Sequence, residues 1–168
     1  LSASFADMAA GESGLQIIDI SNPASPALKC AYNTPGTAYG VALSGSYAYV
    51  ADGSYGLQII DISDPASPLL KGSYDTSGTA YGVALSGNYA YVADDSYGLQ
   101  IIDISDPISP ILKGKCNTPG NAYGVALSDG YAYVADGSDG LQIIDISDQA
   151  GPFMKSRYDT PGTARSVA

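Results

Sequence analysis

Carboxylates are the side chains of this sequence best equipped for chemistry, and they recur at one spacing. Asp19, Asp61, Asp103 and Asp145 stand 42 residues apart, and Asp52, Asp94 and Asp136 form a second series at the same interval. Two carboxylates can share acid and base duties. A carboxylate repeated in every copy of a unit is more simply a structural device. The first series ends an Ile-Ile-Asp string, where an Asx-type bond to the following turn is expected. The chain has no His, which excludes Ser-His and Cys-His nucleophiles and imidazole metal sites. We therefore expect no catalytic residues, no enzyme activity and no cofactor.

Loops 52–56, 94–98 and 136–140 carry Asp, Ser and Gly, yet they lack the alternating acidic ligands and terminal Glu of a calcium-binding hand. Hairpin turns are the expectation there, and no metal site. Cys30 and Cys116 occupy different positions of the repeat and fall two units apart, too far for a disulfide in a four-unit ring. They are expected to be free thiols, and no Cys-x-x-Cys spacing suggests a metal.

The spacing of these residues comes from the elements that carry them. The string Leu-Gln-Ile-Ile-Asp-Ile-Ser begins at Leu15, Leu57, Leu99 and Leu141. Repeats 1–42, 43–84, 85–126 and 127–168 divide the chain, as one domain. The second and third are identical at 33 of 42 positions, so the copies must pack in equivalent surroundings. Within a copy the apolar period is two, the period of strands. Across the second and third copies, 80–86, 89–94, 57–63 and 69–74 are short runs of Tyr, Val, Ile and Leu bounded by Gly, Pro, Ser and Asp. Four strands in about 42 residues is the size of a propeller blade.

The fold class is thus all-β: a β-propeller of four-stranded antiparallel blades, as a four-bladed ring or part of a larger ring or array. An open β-solenoid is the alternative. Small residues in the Ala-Tyr-Gly-Val-Ala-Leu-Ser run suit an innermost strand near the axis. The run holding Lys71, Lys113 or Lys155 suits an outer edge, where charge and neighbouring prolines discourage further pairing. A two-residue turn at Gly45 and Ser46 sets Tyr39 opposite Asp52, Tyr81 opposite Asp94 and Tyr123 opposite Asp136. A tyrosine hydroxyl to carboxylate bond is expected in each. In a blade closed by 165–168 with 1–10, the same pair becomes Arg165 and Ala10. That closure breaks inside an inner strand, so a longer array or a ring of two chains competes with a monomeric ring. Leu1 opens the chain without an initiator Met or a signal segment, which reads as a processed product or a piece of something longer.

The Leu-Gln-Ile-Ile-Asp core, followed by Ile-Ser and Asp-Pro or Asn-Pro, resembles the LVIVD repeat, a propeller-type family of bacterial and archaeal surface proteins. Gln16, Gln58, Gln100 and Gln142 depart from the pattern at its second position, and Ile18, Ile60, Ile102 and Ile144 at its fourth. The resemblance implies a propeller fold and an extracellular or cell-surface, prokaryotic setting. It implies no activity and no catalytic residues.

The formal charge of −10 opposes binding to nucleic acid or to an anionic membrane. No apolar run reaches the ~20 residues of a membrane-spanning helix. The expected function is a non-catalytic interaction or structural module of an exported protein, with protein or self-association as partner, because near-identical copies offer the same patch repeatedly. The alternative is a carbohydrate-binding, lectin-like rim. Loops between the second and third strands share one face with the blade-to-blade crossovers, which brings Tyr55, Tyr97, Asp52, Asp94, Asp136 and Asp139 together. Tyrosine rings beside carboxylates are what a glycan would use.

Overall fold

The computed structural model describes residues 4–168, and every element among them is a strand. Four antiparallel sheets follow one another along the chain. The first contains β1 (Phe5–Ala9), β2 (Leu15–Asp19) and β3 (Ala27–Tyr32). The second holds β4 (Gly40–Ser44), β5 (Tyr47–Ala51), β6 (Leu57–Asp61) and β7 (Leu69–Tyr74). The third holds β8 (Ala80–Ser86), β9 (Tyr89–Asp94), β10 (Leu99–Asp103) and β11 (Ile111–Cys116). The fourth holds β12 (Gly124–Ser128), β13 (Tyr131–Ala135), β14 (Leu141–Asp145) and β15 (Phe153–Tyr158). Each sheet is a meander whose spatial order is its chain order. These are the expected strands in the expected order, and the fold is a β-propeller of four-stranded blades, with the first blade showing three strands among the described residues.

Blades stack face to face, so a middle strand has no wet side. Along β5, Tyr49 and Ala51 join Leu57 and Ile59 against Ala80, Ala90, Val92 and Ile102 of the third blade. The alternate residues of the same strand, Ala48 and Val50, pack with Leu15 of the first blade and Ala38. Burial on both faces explains why the Ile-Ile strands read as continuous apolar runs rather than as strict alternation. A blade alone would leave two such faces in water, so the unit of stability is the stack.

The inner strands come unusually close. A Cβ on Gly40 would stand 2.9 Å from the Tyr81 carbonyl oxygen, and one on Gly82 would stand 2.9 Å from that of Tyr123. This is the crowding expected of strands that line the axis. The tight β4–β5 hairpin pairs Ser44 with Tyr47 across the two-residue turn, and Gly45 sits there at φ 57°, a conformation that carries little penalty only without a Cβ.

The outer strands carry a bulge in every blade. β7 pairs Gly72 with Ile59 and Leu70 with Ile60, leaving Lys71 as the extra residue. Lys29, Lys113 and Lys155 take the same place in β3, β11 and β15. A bulge and a lysine on an edge both oppose pairing with a further strand. The residue after the bulge is where the next blade's turn leans in. A Cβ on Gly72 would lie 2.3 Å from the Pro107 carbonyl oxygen, and one on Gly114 would lie 2.2 Å from that of Gln149. Gly72→Ala should therefore lower stability by about 1–3 kcal/mol, read as a lower urea midpoint. Cys30→Gly, in the same register of the first blade, should change the midpoint less. An unchanged midpoint for Gly72→Ala would show that this approach does not constrain the stack.

Candidate functional site

The rim that carries the crossovers is built around the second carboxylate series. Asp52 follows β5 and has no exposed surface, and Asp94 and Asp136 are equally buried. The crossover entering the second blade brings Thr34 and Gly36 onto Asp52. The Thr34 hydroxyl donates to Asp52 Oδ1 at 2.6 Å, and the Gly36 amide donates to Oδ2 at 2.8 Å. Thr76 and Gly78 hold Asp94 at 2.6 and 3.0 Å. Thr118 and Gly120 hold Asp136 in the same way, the amide at 2.9 Å. Both oxygens of each carboxylate are thus engaged by the segment that arrives from the previous blade. The backbone of the following loop then reaches forward. Gly53 exchanges two hydrogen bonds with Ala80, as do Asp95 with Ala122 and Gly137 with Ala164.

This arrangement corrects the expected tyrosine–carboxylate bond. Tyr39 does lie at the start of the inner strand, where its amide bonds the Ala51 carbonyl, but the oxygens of Asp52 are taken by threonine and glycine. The tyrosines stack on one another instead. Ring centroids of Tyr39 and Tyr81 are 4.8 Å apart, and those of Tyr81 and Tyr123 are 5.0 Å apart. Arg165, which holds the fourth position of this series, places its guanidinium 5.2 Å from the Tyr123 ring centroid. The change from tyrosine to arginine keeps the column going by a cation–π contact.

The other proposed rim residues divide. Tyr55 is 49% and Tyr97 41% exposed, as a ligand platform requires. Asp139 is half-buried, and its carbonyl accepts the Gln142 amide at 2.7 Å. Gln58 and Gln100 make the same bond to the carbonyls of Tyr55 and Tyr97, at 2.7 and 3.3 Å. The glutamine in the Leu-Gln-Ile-Ile-Asp string thus fastens the loop it follows. The rim keeps its aromatic faces, while Asp52, Asp94 and Asp136 are unavailable to a ligand.

At the opposite rim the first carboxylate series behaves as expected. Asp19 Oδ1 accepts the Ser21 amide at 2.9 Å, and Asp61, Asp103 and Asp145 accept from Ser63, Ser105 and Ser147 at 3.0, 3.0 and 3.1 Å. Hydrogen bonding by the serine side chains, and then by these amides, holds all four carboxyls below the ordinary value. Cys30 and Cys116 are free thiols.

Sequence reasoning missed Thr34, Thr76 and Thr118 as partners of the buried aspartates, and it missed the tyrosine column. The threonines had a signal, since they share the 42-residue spacing and each lies 18 residues before its aspartate. For the column the signal was the Tyr-Gly pair at 39, 81 and 123, where the glycine lets adjacent inner strands close up.

A stack of four-stranded meanders around a line of small inner-strand residues defines a β-propeller architecture. The LVIVD repeat matches residues 1–34, 35–76, 77–118 and 119–160, and the chain belongs to that family. The last three matched units begin and end in the crossovers, so each encloses one four-stranded blade. Among solved structures, the chain is similar to the computationally designed Ika8 protein, with a TM-score of 0.74 at 8% identity, over 100% of this chain and 50% of that one. It is similar to the designed Ika4 protein, with a TM-score of 0.66 at 8% identity, over 81% of each chain. A functionally unknown protein from Desulfotomaculum acetoxidans DSM 771 gives 0.75 at 12% identity, over 95% of this chain and 54% of that one. The chain spans about half the length of the first and third of these. No curated protein matches the sequence.

Burial pushes the Asp94 carboxyl above its ordinary value, against the opposing hydrogen bonds of Thr76 and Gly78 and with help from Asp95 and Asp75. A carboxyl raised in the folded state binds extra protons there, so its contribution is complete below the unfolded value of 3.8 and is lost as pH rises through the folded one. Asp94→Asn cannot titrate. The stability of the wild type relative to Asp94→Asn should therefore increase between about pH 7 and about pH 4. Thermal melts in which this difference stays flat, or shrinks on acidification, would contradict the burial of that charge.

Proposed function

We propose that this chain is a non-catalytic interaction and structural module of an exported or cell-surface protein, and that it works by joining blade to blade with a second copy of itself. One observation carries the reading. Two complementary strand edges of the described stack carry no ladder. At one, β1 pairs with β2, and no ladder is described along its other edge from Ala6 to Ala9. At the other, the segment after Ala164 lies beside Gly124 as β8 lies beside β4: a Cβ on Gly124 would meet the Arg165 carbonyl oxygen at 3.0 Å and the Ser166 Cα at 3.2 Å. This segment takes an inner strand's place without being part of any sheet in the structure.

A composite blade would satisfy both ends. Ser166, Val167 and Ala168 of one copy match Gly40, Val41 and Ala42 in the repeat, and would lie against β1 of the other as β4 lies against β5. Self-pairing of strands adds main-chain hydrogen bonds at an edge that is otherwise a liability. The half-length match to the designed Ika8 protein supports the same reading, since the four blades superpose on half of a longer chain. The non-catalytic part rests on the structural bonds that engage both carboxylate series. The glycan-rim reading retains exposed Tyr55 and Tyr97 and half-buried Asp139 but loses Asp52, Asp94 and Asp136, three of the four carboxylates it called for.

Sedimentation equilibrium of the 168-residue chain should give twice 17.1 kDa. Val167→Lys, which sets a charge at the composite strand's apolar position, should shift the protein toward a single copy. A mass of 17.1 kDa for the unaltered chain at about 100 μM would overturn the assembly.

A further inference from the structure

Consecutive blades leave a groove between them on the rim opposite the crossovers. At the third junction it measures about 290 Å³, with Tyr91 on one side and Leu127, Tyr131, Ile146 and Gln149 on the other. Tyr91 is 2% exposed, so its ring fills most of the space there, and its hydroxyl reaches the Gln149 side chain. Tyr49 takes the equivalent place at the second junction and is 4% exposed.

At the first junction the repeat departs at this position. Asp7 stands in the register of Tyr49 and Tyr91, opposite Ile17 as they are opposite Ile59 and Ile101. A carboxymethyl group in place of a phenol ring leaves room, and the groove here measures about 530 Å³. The neighbouring register adds to the opening. Cys30 replaces the glycine of β7 and β11, and a Cβ at that glycine of β7 would meet the next blade's turn at 2.3 Å. The turn of the second blade, which includes Pro65 of the groove lining, cannot approach β3 as closely.

The lining is divided almost evenly between apolar surface, from Phe5, Ile17, Leu43 and Ile62, and polar surface, which includes Ser46 and Ser63. No described lining residue is a Lys or Arg. Asp7 Oδ1 is buried and has no hydrogen-bond partner. A buried carboxylate oxygen without a donor is costly. Burial pushes the Asp7 carboxyl above its ordinary value, an effect opposed by the positive charge of the chain's amino end.

We infer that the groove between the first and second blades is a binding site for a small organic ammonium with an apolar body. The ammonium donates to Asp7 Oδ1 and to the serine hydroxyls, and the body lies against Phe5, Ile17, Leu43 and Ile62. The volume falls within the range of small-molecule pockets, and a chain of charge −10 raises the local concentration of cations. Phe5 and Asp7 belong to β1, the strand whose main chain the proposed assembly pairs, so the mass of each variant is measured beside its binding. Loss of binding at unchanged mass counts against the groove alone, and loss of the double mass with binding kept counts against the assembly alone.

The probe is benzylammonium, with benzyl alcohol as the uncharged body of the same shape, titrated into the full chain and followed through the backbone amides of Ser46, Ile62 and Ser63 by NMR. Benzylammonium should bind at least about ten-fold more tightly than benzyl alcohol, the factor expected for one charged hydrogen bond in a partly dry site. Asp7→Asn should remove that preference. Asp7→Tyr, which restores the residue of the other blades and is expected to fold at least as well, should abolish the shifts. Thermal melts of both variants confirm the fold. Absence of shifts with the unaltered chain at about 10 mM probe, equal binding of the two probes, or unchanged binding by Asp7→Tyr would each overturn the site.

Discussion

A carboxylate with no access to water, gripped by a hydroxyl and an amide from the incoming crossover, fixes where each blade sits relative to the one before it. Strand pairing alone does not do this, because the ladders run within blades and end at their edges. Apolar packing between blades is strong but tolerant of sliding, since flat faces of Ile, Val and Ala can shift without a large loss. The Thr–Asp–Gly tie is directional and buried, and breaking it leaves three polar groups without partners. It registers the second, third and fourth blades on their predecessors, and the paired bonds from Gly53, Asp95 and Gly137 repeat the restraint in the forward direction.

Other features follow from that registration. Once blades are held at a constant spacing, inner strands approach until only glycine fits at 40, 82 and 124, and the tyrosines beside those glycines fall into stacking distance. At the outside, the bulge at each lysine turns the edge strand, and in β7 and β11 the glycine after it receives the next blade's turn. The first blade has Ala10 in the register of Asp52 and so lacks the carboxylate of the tie. The first junction, where Asp7 and Cys30 depart from the repeat, keeps the tie of Thr34 and Gly36 to Asp52, so the unusual groove there comes from side-chain size and not from a missing tie.

Much of this was legible in the sequence, for a physical reason. Near-identical copies must occupy equivalent surroundings, so the period gave the blade, the alternation gave the strands, and the Gly-Ala and Lys-Pro biases identified inner and outer edges. Asp19 and its equivalents were also readable, because an Asx turn is made with a partner two residues away. The partner of Asp52 was not readable from pairing register. The expected register places Tyr39 and Tyr81 across from Asp52 and Asp94, whereas a shift before β8's Gly82 puts Ala80 across from Asp94. The donors come from crossovers 16 and 18 residues upstream, whose path depends on how the preceding blade packs. The bulges were hidden for a similar reason, since Lys71 looks like an ordinary strand residue until its neighbours Leu70 and Gly72 are paired. The rim tyrosines were found but their companions misjudged, because burial of an aspartate is a property of the loop around it and not of its spacing.

The central claim is that the buried carboxylates lock every crossover to its blade, and amide hydrogen exchange addresses it at single atoms. The Gly36, Gly78 and Gly120 amides lie outside the strands, and each has a carboxylate oxygen as its acceptor. The account predicts that they exchange as slowly as the amides of β5, β9 and β13, opening only when the stack does. Exchange near the rate of an unstructured chain at these three glycines, with the strand amides still protected, would contradict it.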